Sequence, residues 1–301
     1  MNEEYQEETN EPEPVSEQPL LGDPMTKNYS AGAFTAVSIN DTSMSILACE
    51  VGKKETMLRR NGIRGTRSHI DGDARKGPQH IGGTIRLEPS YAELVALMSL
   101  AIGSGGNTSE TIPSFNTVVD RYERVDTYTG CKVNRATITG QQGGIINVQL
   151  DVIGQTEVQN TGSVAAPNSG VPFIFSDLAL NLANAVQEAF SFQLVIDNHI
   201  DPERFLNSLT LSQTVELDRT VTLQTVHPYN DTTVSLYDQA VQGSAGTLAL
   251  NNGTNTGTFS FGTLQVPAES PHIPGKTEVQ LTLNMQAASN TAANTKEIAF
   301  A

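Results

Sequence analysis

Tyr128–Gln155 reads YTGCKVNRATITGQQGGIINVQLDVIGQ. A turn at Thr129-Gly130 leads into a strand, a glycine-rich hairpin turns at Gly140–Gly144, and a second strand runs out through Val152. In that second strand Ile146, Val148, Leu150 and Val152 fall on one face, and Asn147, Gln149 and Asp151 on the other. Strict alternation marks a half-buried β-strand, because successive side chains point to opposite sides of a sheet. Upstream, Gly82–Gly106 (GGTIRLEPSYAELVALMSLAIGSGG) reads as a strand over Thr84–Leu87, a proline in the first turn of a helix, the helix Ser90–Ile102, and a glycine stop. Leu94, Leu97, Met98 and Ala101 recur at the spacing of one helix face, which predicts a helix packed on a sheet.

The rest of the chain has the composition of a β protein. Charged residues are 17% of its 301 residues, tryptophan is absent, and Thr, Ser, Asn, Gln and Gly are plentiful. Many short strands with exposed faces and turn-rich loops suit this mixture; a helical bundle does not. The length allows two domains. The net charge of −15 is unevenly placed. Met1–Pro24 carries eight acidic residues and no Lys or Arg, whereas Lys53–Arg86 holds half of the eighteen basic residues: Lys53, Lys54, Arg59, Arg60, Arg64, Arg67, Arg75, Lys76 and Arg86. A basic segment on an acidic protein suits nucleic acid or an acidic protein surface. This one contains no Phe, Tyr or Trp for base stacking, so a protein contact fits it better. No apolar run approaches the ~20 residues of a membrane helix, and the acidic N-terminus lacks the apolar core of a secretory signal. The two cysteines, Cys49 and Cys131, are accordingly expected to be reduced, in a chain that is soluble and touches no membrane.

Residues 1–30 read as a disordered acidic arm, too poor in apolar surface to offset chain entropy. Strands are expected at Phe34–Asn40 and Ser45–Ala48, followed by the basic segment as a loop over 53–82 with turn chemistry at Asn61-Gly62, Asp71-Gly72 and Gly77-Pro78. The first module spans 31–155, a linker 156–172, and a second module 173–301, with strand patterning at Phe173–Leu182 and Phe190–Ile196. The second half echoes the first. His227–Val241 (HPYNDTTVSLYDQAV) lies on Glu88–Ile102 without a gap, pairing Pro228 with Pro89 and Leu236 with Leu97. Thr277–Gln286 (TEVQLTLNMQ) repeats the VQL of Ile146–Gln155 in register. Matched elements in one order point to a duplicated module.

Catalytic constellations are missing. None of the five histidines has a partner at zinc spacing, and HIDGD at His69–Asp73 lacks the spacing of a calcium loop and reads as a polar turn. Asp197, Asn198, His199 and Asp201 read as a turn with Asx hydrogen bonds. The glycine clusters at Gly103–Gly106 and Gly140–Gly144 lack the Lys-Ser/Thr of a phosphate loop, and there is no GxSxG elbow. The expectation is a protein that is not an enzyme and needs no metal or cofactor.

The ordered set strand, proline, helix, glycine stop, strand, GQQGG hairpin and alternating strand resembles the major tail tube proteins of long-tailed, siphovirus-like bacteriophages, over roughly Ala48–Gln155. The resemblance implies a mainly β fold of tandem β-sandwich or barrel modules, each with one flanking α-helix. It implies self-assembly into rings that stack into the tail tube, the virion conduit for genome ejection, assembled in the host cytoplasm. Its partners would be further copies of the chain, the tape measure protein, and the tail terminator and distal tail proteins, with DNA passing unbound through the lumen. On this resemblance Lys53, Lys54, Arg59, Arg60, Arg64, Arg67, Arg75 and Lys76 make the contact between rings, and Thr137, Asn147, Gln149, Asp151, Gln280 and Thr282 face a lumen of net negative charge. Duplicated members imply a trimeric ring, favoured over a hexamer. A virion decoration or tail-tip binding protein is the alternative reading.

Overall fold

The computed structural model describes residues 36–301 except 63–64, 66, 69–71, 104–107, 122–123, 161–163, 165–166, 168–169, 184, 232, 235, 237–242, 268–269, 272, 274, 277 and 290–296. The chain divides into two units, Met1–Phe34 and Thr35–Ala301, and the described residues all belong to the second. The expected acidic arm therefore lies outside them.

Among the described residues seventeen strands join in one antiparallel network. They are β1 (Val37–Ile39), β2 (Thr42–Met44), β3 (Ile46–Cys49), β4 (Gly52–Arg59), β5 (Ala74–Leu87), β6 (Phe115–Asp120), β7 (Val125–Gln141), β8 (Asn147–Gly154), β9 (Thr156–Asn160), β10 (Leu178–Leu182), β11 (Ala185–Gln187), β12 (Ser191–Asp197), β13 (Thr220–Pro228), β14 (Ser244–Asn251), β15 (Thr256–Gln265), β16 (Gln280–Ala288) and β17 (Ile298–Phe300). Helix α1 (Tyr91–Ala101) lies between β5 and β6. Ser90 and Glu93 close its N-terminus as a capping box, and Leu94, Leu97, Met98 and Ala101 are fully buried, as their spacing predicts. Of the expected counterpart helix, Val234 and Leu236 are helical and 237–242 lie outside the described residues.

One run of strands forms the main sheet, in the order β4-β5-β8-β7-β12-β13-β16. Its buried face is built by the alternation: Ile85 and Leu87 on β5, Val148, Leu150 and Val152 on β8, Ala136 and Ile138 on β7, Leu194 and Ile196 on β12, Val221 and Leu223 on β13, Leu281 and Leu283 on β16. The pairings of the first half recur in the second. β1–β2, β1–β6, β6–β7, β7–β8, β7–β9, β5–β8 and β3–β5 correspond to β10–β11, β10–β14, β14–β15, β15–β16, β15–β17, β13–β16 and β12–β13. Two pairings have no counterpart: the hairpin β4–β5, and β7–β12, which joins the halves from Arg135↔Asp197 to Gln141↔Ser191.

Several expectations change. The turn at Thr129-Gly130 is absorbed into β7, because Gly130 at φ +64° kinks the strand where it leaves β6 and β9 to pair with β8. The Gln155 side chain fills the space where a Cβ at Gly130 would sit. The loop over 53–82 is a two-stranded hairpin: β5 begins at Ala74 rather than Thr84, and β4 pairs with its first half. The segment 156–172, read as a linker, opens with β9, which pairs with the first half of β7. Phe173–Leu182 starts with a 3-10 turn at Phe175–Asp177 before β10. Of the expected β-sandwich or barrel, the described residues show no closed barrel, since no pairing closes the network into a ring. β16 pairs with β13 along Gln280–Gln286, but with β15 only at Gln286–Ala288, whereas β8 pairs with β7 along most of its length. The described residues that follow β15 include Pro267 and Pro271, and proline cannot donate to a ladder.

Candidate functional site

The side of the main sheet opposite the core is a polar face. Alternation on each strand turns out one residue in two, and the register aligns them in rows. Arg86, Gln149, Thr137, Val195, Thr222 and Gln286 form one cross-strand row. Asn147, Thr139, Gln193, Gln224 and Asn284 form the next. Thr84, Asp151, Arg135, Asp197 and Thr220 form a third. Side-chain amides donate across the face, Gln224 Nε2 to Asn284 Oδ1 at 2.7 Å and Gln149 Nε2 to the Asp151 carboxylate at 3.1 Å. Thr137, Asn147, Gln149, Asp151, Gln280 and Thr282 all stand on this one face, exposed or half-buried. The sequence reading missed Gln193, Thr222 and Gln224. The alternation of FQLVID and TVTLQTVHP would have found them, but the β7–β12 pairing that makes them neighbours leaves no local mark. Within these rows the charges balance: Arg86 and Arg135 stand against Asp151 and Asp197, and the remaining positions are hydroxyls, amides and the aliphatic Val195. The acid of the chain is therefore not concentrated here.

The basic residues lie elsewhere. Lys53, Lys54 and Arg59 on β4, Arg60 beyond it, and Arg75 and Lys76 on β5 are exposed along the hairpin, and Arg67 is exposed in the connection. Arg64 lies outside the described residues, as do His69 and Asp71. Glu55 sits between Lys53 and Lys76, at 3.9 and 3.8 Å. Arg86, the last of the basic segment, belongs to the polar face instead. In β5 the pairing with β8 stops at Ile81, so Ala74–His80 extend the hairpin ~24 Å beyond the sheet at ~3.4 Å per residue. The loop 198–219, which occupies the corresponding place between β12 and β13, braces the hairpin's base. Gln79 N–H donates to Leu209 O at 2.7 Å, and the rings of His80 and Phe205 lie 6.5 Å apart.

The polar knot after β12 fastens the two halves together. Arg135 Nε donates to Asp197 at 2.7 Å, and Asp197 Oδ1 accepts the His199 N–H at 3.0 Å in the expected Asx turn. Asn198, fully buried, donates to Ala101 O at the end of α1 and to Val133 O on β7. Lys132 meets Glu216 at 2.6 Å, both largely buried. Burial pushes the Glu216 carboxyl up, but the hydrogen bond and charge of Lys132 and the Ile112 N–H outweigh it and hold the group below the usual carboxylate range. Cys49 and Cys131 are free thiols. Burial pushes Cys131 up to about 12 and Cys49 up as well. Among the described residues no group of His, Cys, Asp and Glu gathers as a metal site.

The architecture is thus a one-sided sheet with a polar face, a projecting basic hairpin and, among the described residues, an edge at β16 without a partner strand along Gln280–Met285. Among curated proteins none matches the chain. The family model described as phage tail tube protein matches residues 17–287, nearly the whole length. The chain belongs to the phage tail tube protein family, and so to the structural proteins of the virion tail.

Proposed function

We propose that copies of the chain join sheet edge to sheet edge into a ring whose inner wall is the polar face, that rings stack through the basic hairpin, and that the stack is the conduit for the genome from capsid to host cell. The observation that carries this reading is the polar-faced sheet with uncovered edges. β4 and β3 each pair only with β5, and β16 leaves one side of Gln280–Met285 without a strand among the described residues. Exposed edges invite pairing with another copy, and a closed ring removes them. A wall of amides and hydroxyls with few cations offers phosphates little of the charge that DNA binders use, so DNA slides rather than sticks.

Three chains per ring fit best. The recurring pairings supply two equivalent sheet segments per chain, and the β7–β12 seam already joins them. β12 corresponds to β3, but β12 is paired on both sides and β3 on one. The free side of β3 is where a neighbouring copy would repeat the seam. In the virion the partners are further copies of the chain, the tape measure protein within the lumen, and the terminator and distal tail proteins at the ends. Assembly takes place in the host cytoplasm. Negative-stain microscopy and light scattering of the purified protein across a concentration series test the reading. Hollow rings and tubes are expected. A chain that stays monomeric at high concentration and is missing from purified virion tails overturns it.

A further inference from the structure

The two ends of the main sheet differ in charge. At one end the hairpin projects. At the other, β12 begins, β13 ends and β16 begins side by side, as Ser191↔Val226 and Pro228↔Gln280 show. The residues flanking those strand ends are Glu188, Asp231 and Glu278, all exposed. None is in an ion pair among the described residues, and the exposed Lys276 precedes Glu278 in the sequence. Backbone hydrogen bonds hold this rim in place: Gln142 N–H to Phe190 O at 2.9 Å, Phe190 N–H to Val226 O at 2.7 Å, and Tyr229 N–H to Val279 O at 3.1 Å. At this end of the sheet Ile145 and Tyr229 also stand exposed, at 38% and 39%. The hairpin carries the complement: Lys53, Lys54, Arg59, Arg60, Arg75 and Lys76, with Met57 and Leu58 exposed at 58% and 56%.

We infer that this rim is the docking surface for the hairpin of a second copy. The inference rests on the ring-and-tube reading and adds to it the receiving surface. Opposite charge and exposed aliphatic groups sit at opposite ends of one chain. A contact between them is heterologous and head to tail, the kind that propagates into a filament rather than closing as a dimer. Long-range attraction between basic and acidic surfaces sets the orientation of encounter, and the apolar pairs add contact once docked. A stack built this way has one polarity, each hairpin entering the rim of the next ring. Each pair is weak, but a ring repeats every contact, so the stack holds by multiplicity.

The test is charge reversal in two variants. One carries Glu188→Lys, Asp231→Lys and Glu278→Lys; the other carries Lys53→Glu, Arg59→Glu, Arg60→Glu and Arg75→Glu. Each alone should form rings but no tubes, since its hairpin and rim then carry like charge. Mixed in equal amounts, the two should form tubes of alternating rings, because each hairpin meets a rim of opposite sign. A chain bearing both sets should polymerise alone. Should the rim variant fail to form rings, Glu188→Gln, Asp231→Asn and Glu278→Gln replace it, and shorter tubes than wild type are expected. Rim variants that make tubes of wild-type length overturn the inference, as does a mixture of ring-forming variants that never polymerises. Wild-type protein that forms no rings refutes the ring reading itself, a separate result.

Discussion

Gly140 stands where β7 turns toward β8, and a Cβ there would come within 2.5 Å of Phe192 Cε1 and 2.7 Å of Ile146 Cδ1. Gly140→Ala is therefore expected to destabilise the fold by about 1–3 kcal/mol, the usual cost of overpacking, measurable by chemical denaturation. His227 is a second residue set by its surroundings. It is fully buried, its Nδ1–H donates to Glu188 O at 2.6 Å, and its Nε2 accepts from Thr225 Oγ1 at 2.8 Å. Burial holds its pKa below the usual histidine value, though the bond to Glu188 O pulls the other way. The folded state thus prefers the neutral ring. Its contribution to stability is complete above the unfolded value of about 6.5 and is lost progressively as the pH falls from there through the folded value. Thermal unfolding between pH 7.5 and 5 should show a falling midpoint, and His227→Gln should flatten that slope. Removing Glu216 would leave the Lys132 ammonium buried without its carboxylate, so Glu216→Ala is expected to cost up to about 3 kcal/mol in the same denaturation assay.

At the scale of elements, the N-terminus of α1 is tied to the β2–β3 connection through one carboxylate. Glu93 accepts the Ser90 N–H at 2.8 Å, the Ser90 hydroxyl at 2.7 Å and the Ser45 N–H at 2.7 Å, and is 2% exposed. Glu93→Ala leaves two backbone donors unsatisfied and should cost about 2 kcal/mol, read by denaturation. The hairpin β4–β5 behaves oppositely. Among the described residues its outer half, beyond the brace at its base from Gln79 to Leu209, pairs with no other strand of the sheet, so charge changes along it should leave the fold intact. Reversing Arg59, Arg60, Arg64 and Arg67 to Glu should preserve β circular dichroism and rings while abolishing long tubes. Raising salt should shorten wild-type tubes, because exposed pairs are screened over a Debye length of ~8–10 Å at physiological ionic strength. A reversed hairpin that polymerises normally would move its role from protein to DNA.

For the whole molecule, the recurring strand pairings carry two expectations. Native mass spectrometry of the isolated ring should give the mass of three chains; six would refute the trimer and leave the conduit standing. The polar face, its charges balanced within the three rows, should tolerate polar exchanges but not added cations. Thr137→Lys, Gln149→Lys and Thr282→Lys together place three ammonium groups per chain on the proposed wall. Virions carrying them should assemble tails of normal length yet release DNA more slowly in a dye-uptake assay, with the delay relieved by salt.

The sequence by itself determined the elements whose signal is local. Ile146, Val148, Leu150 and Val152 alternate with Asn147, Gln149 and Asp151 because one sheet face is buried, and α1 shows its face at helical spacing for the same reason. The turn at Gly140–Gly144, the family resemblance and the basic segment were legible too, as were all six polar residues now found on one face. Only the tertiary structure decided what depends on pairing between distant segments. The basic segment became a hairpin because β4 and β5 find each other across a connection of no regular pattern. Gly130 became a kink within β7 because β6, β9 and β8 share that strand. The seam between β7 and β12 united two polar faces into one, and no residue within Arg135–Gln141 or Ser191–Asp197 announces its partner. The side of β16 that has no partner strand among the described residues was invisible for the same reason: alternation says which side of a strand is wet, but register and partner are settled by the whole sheet.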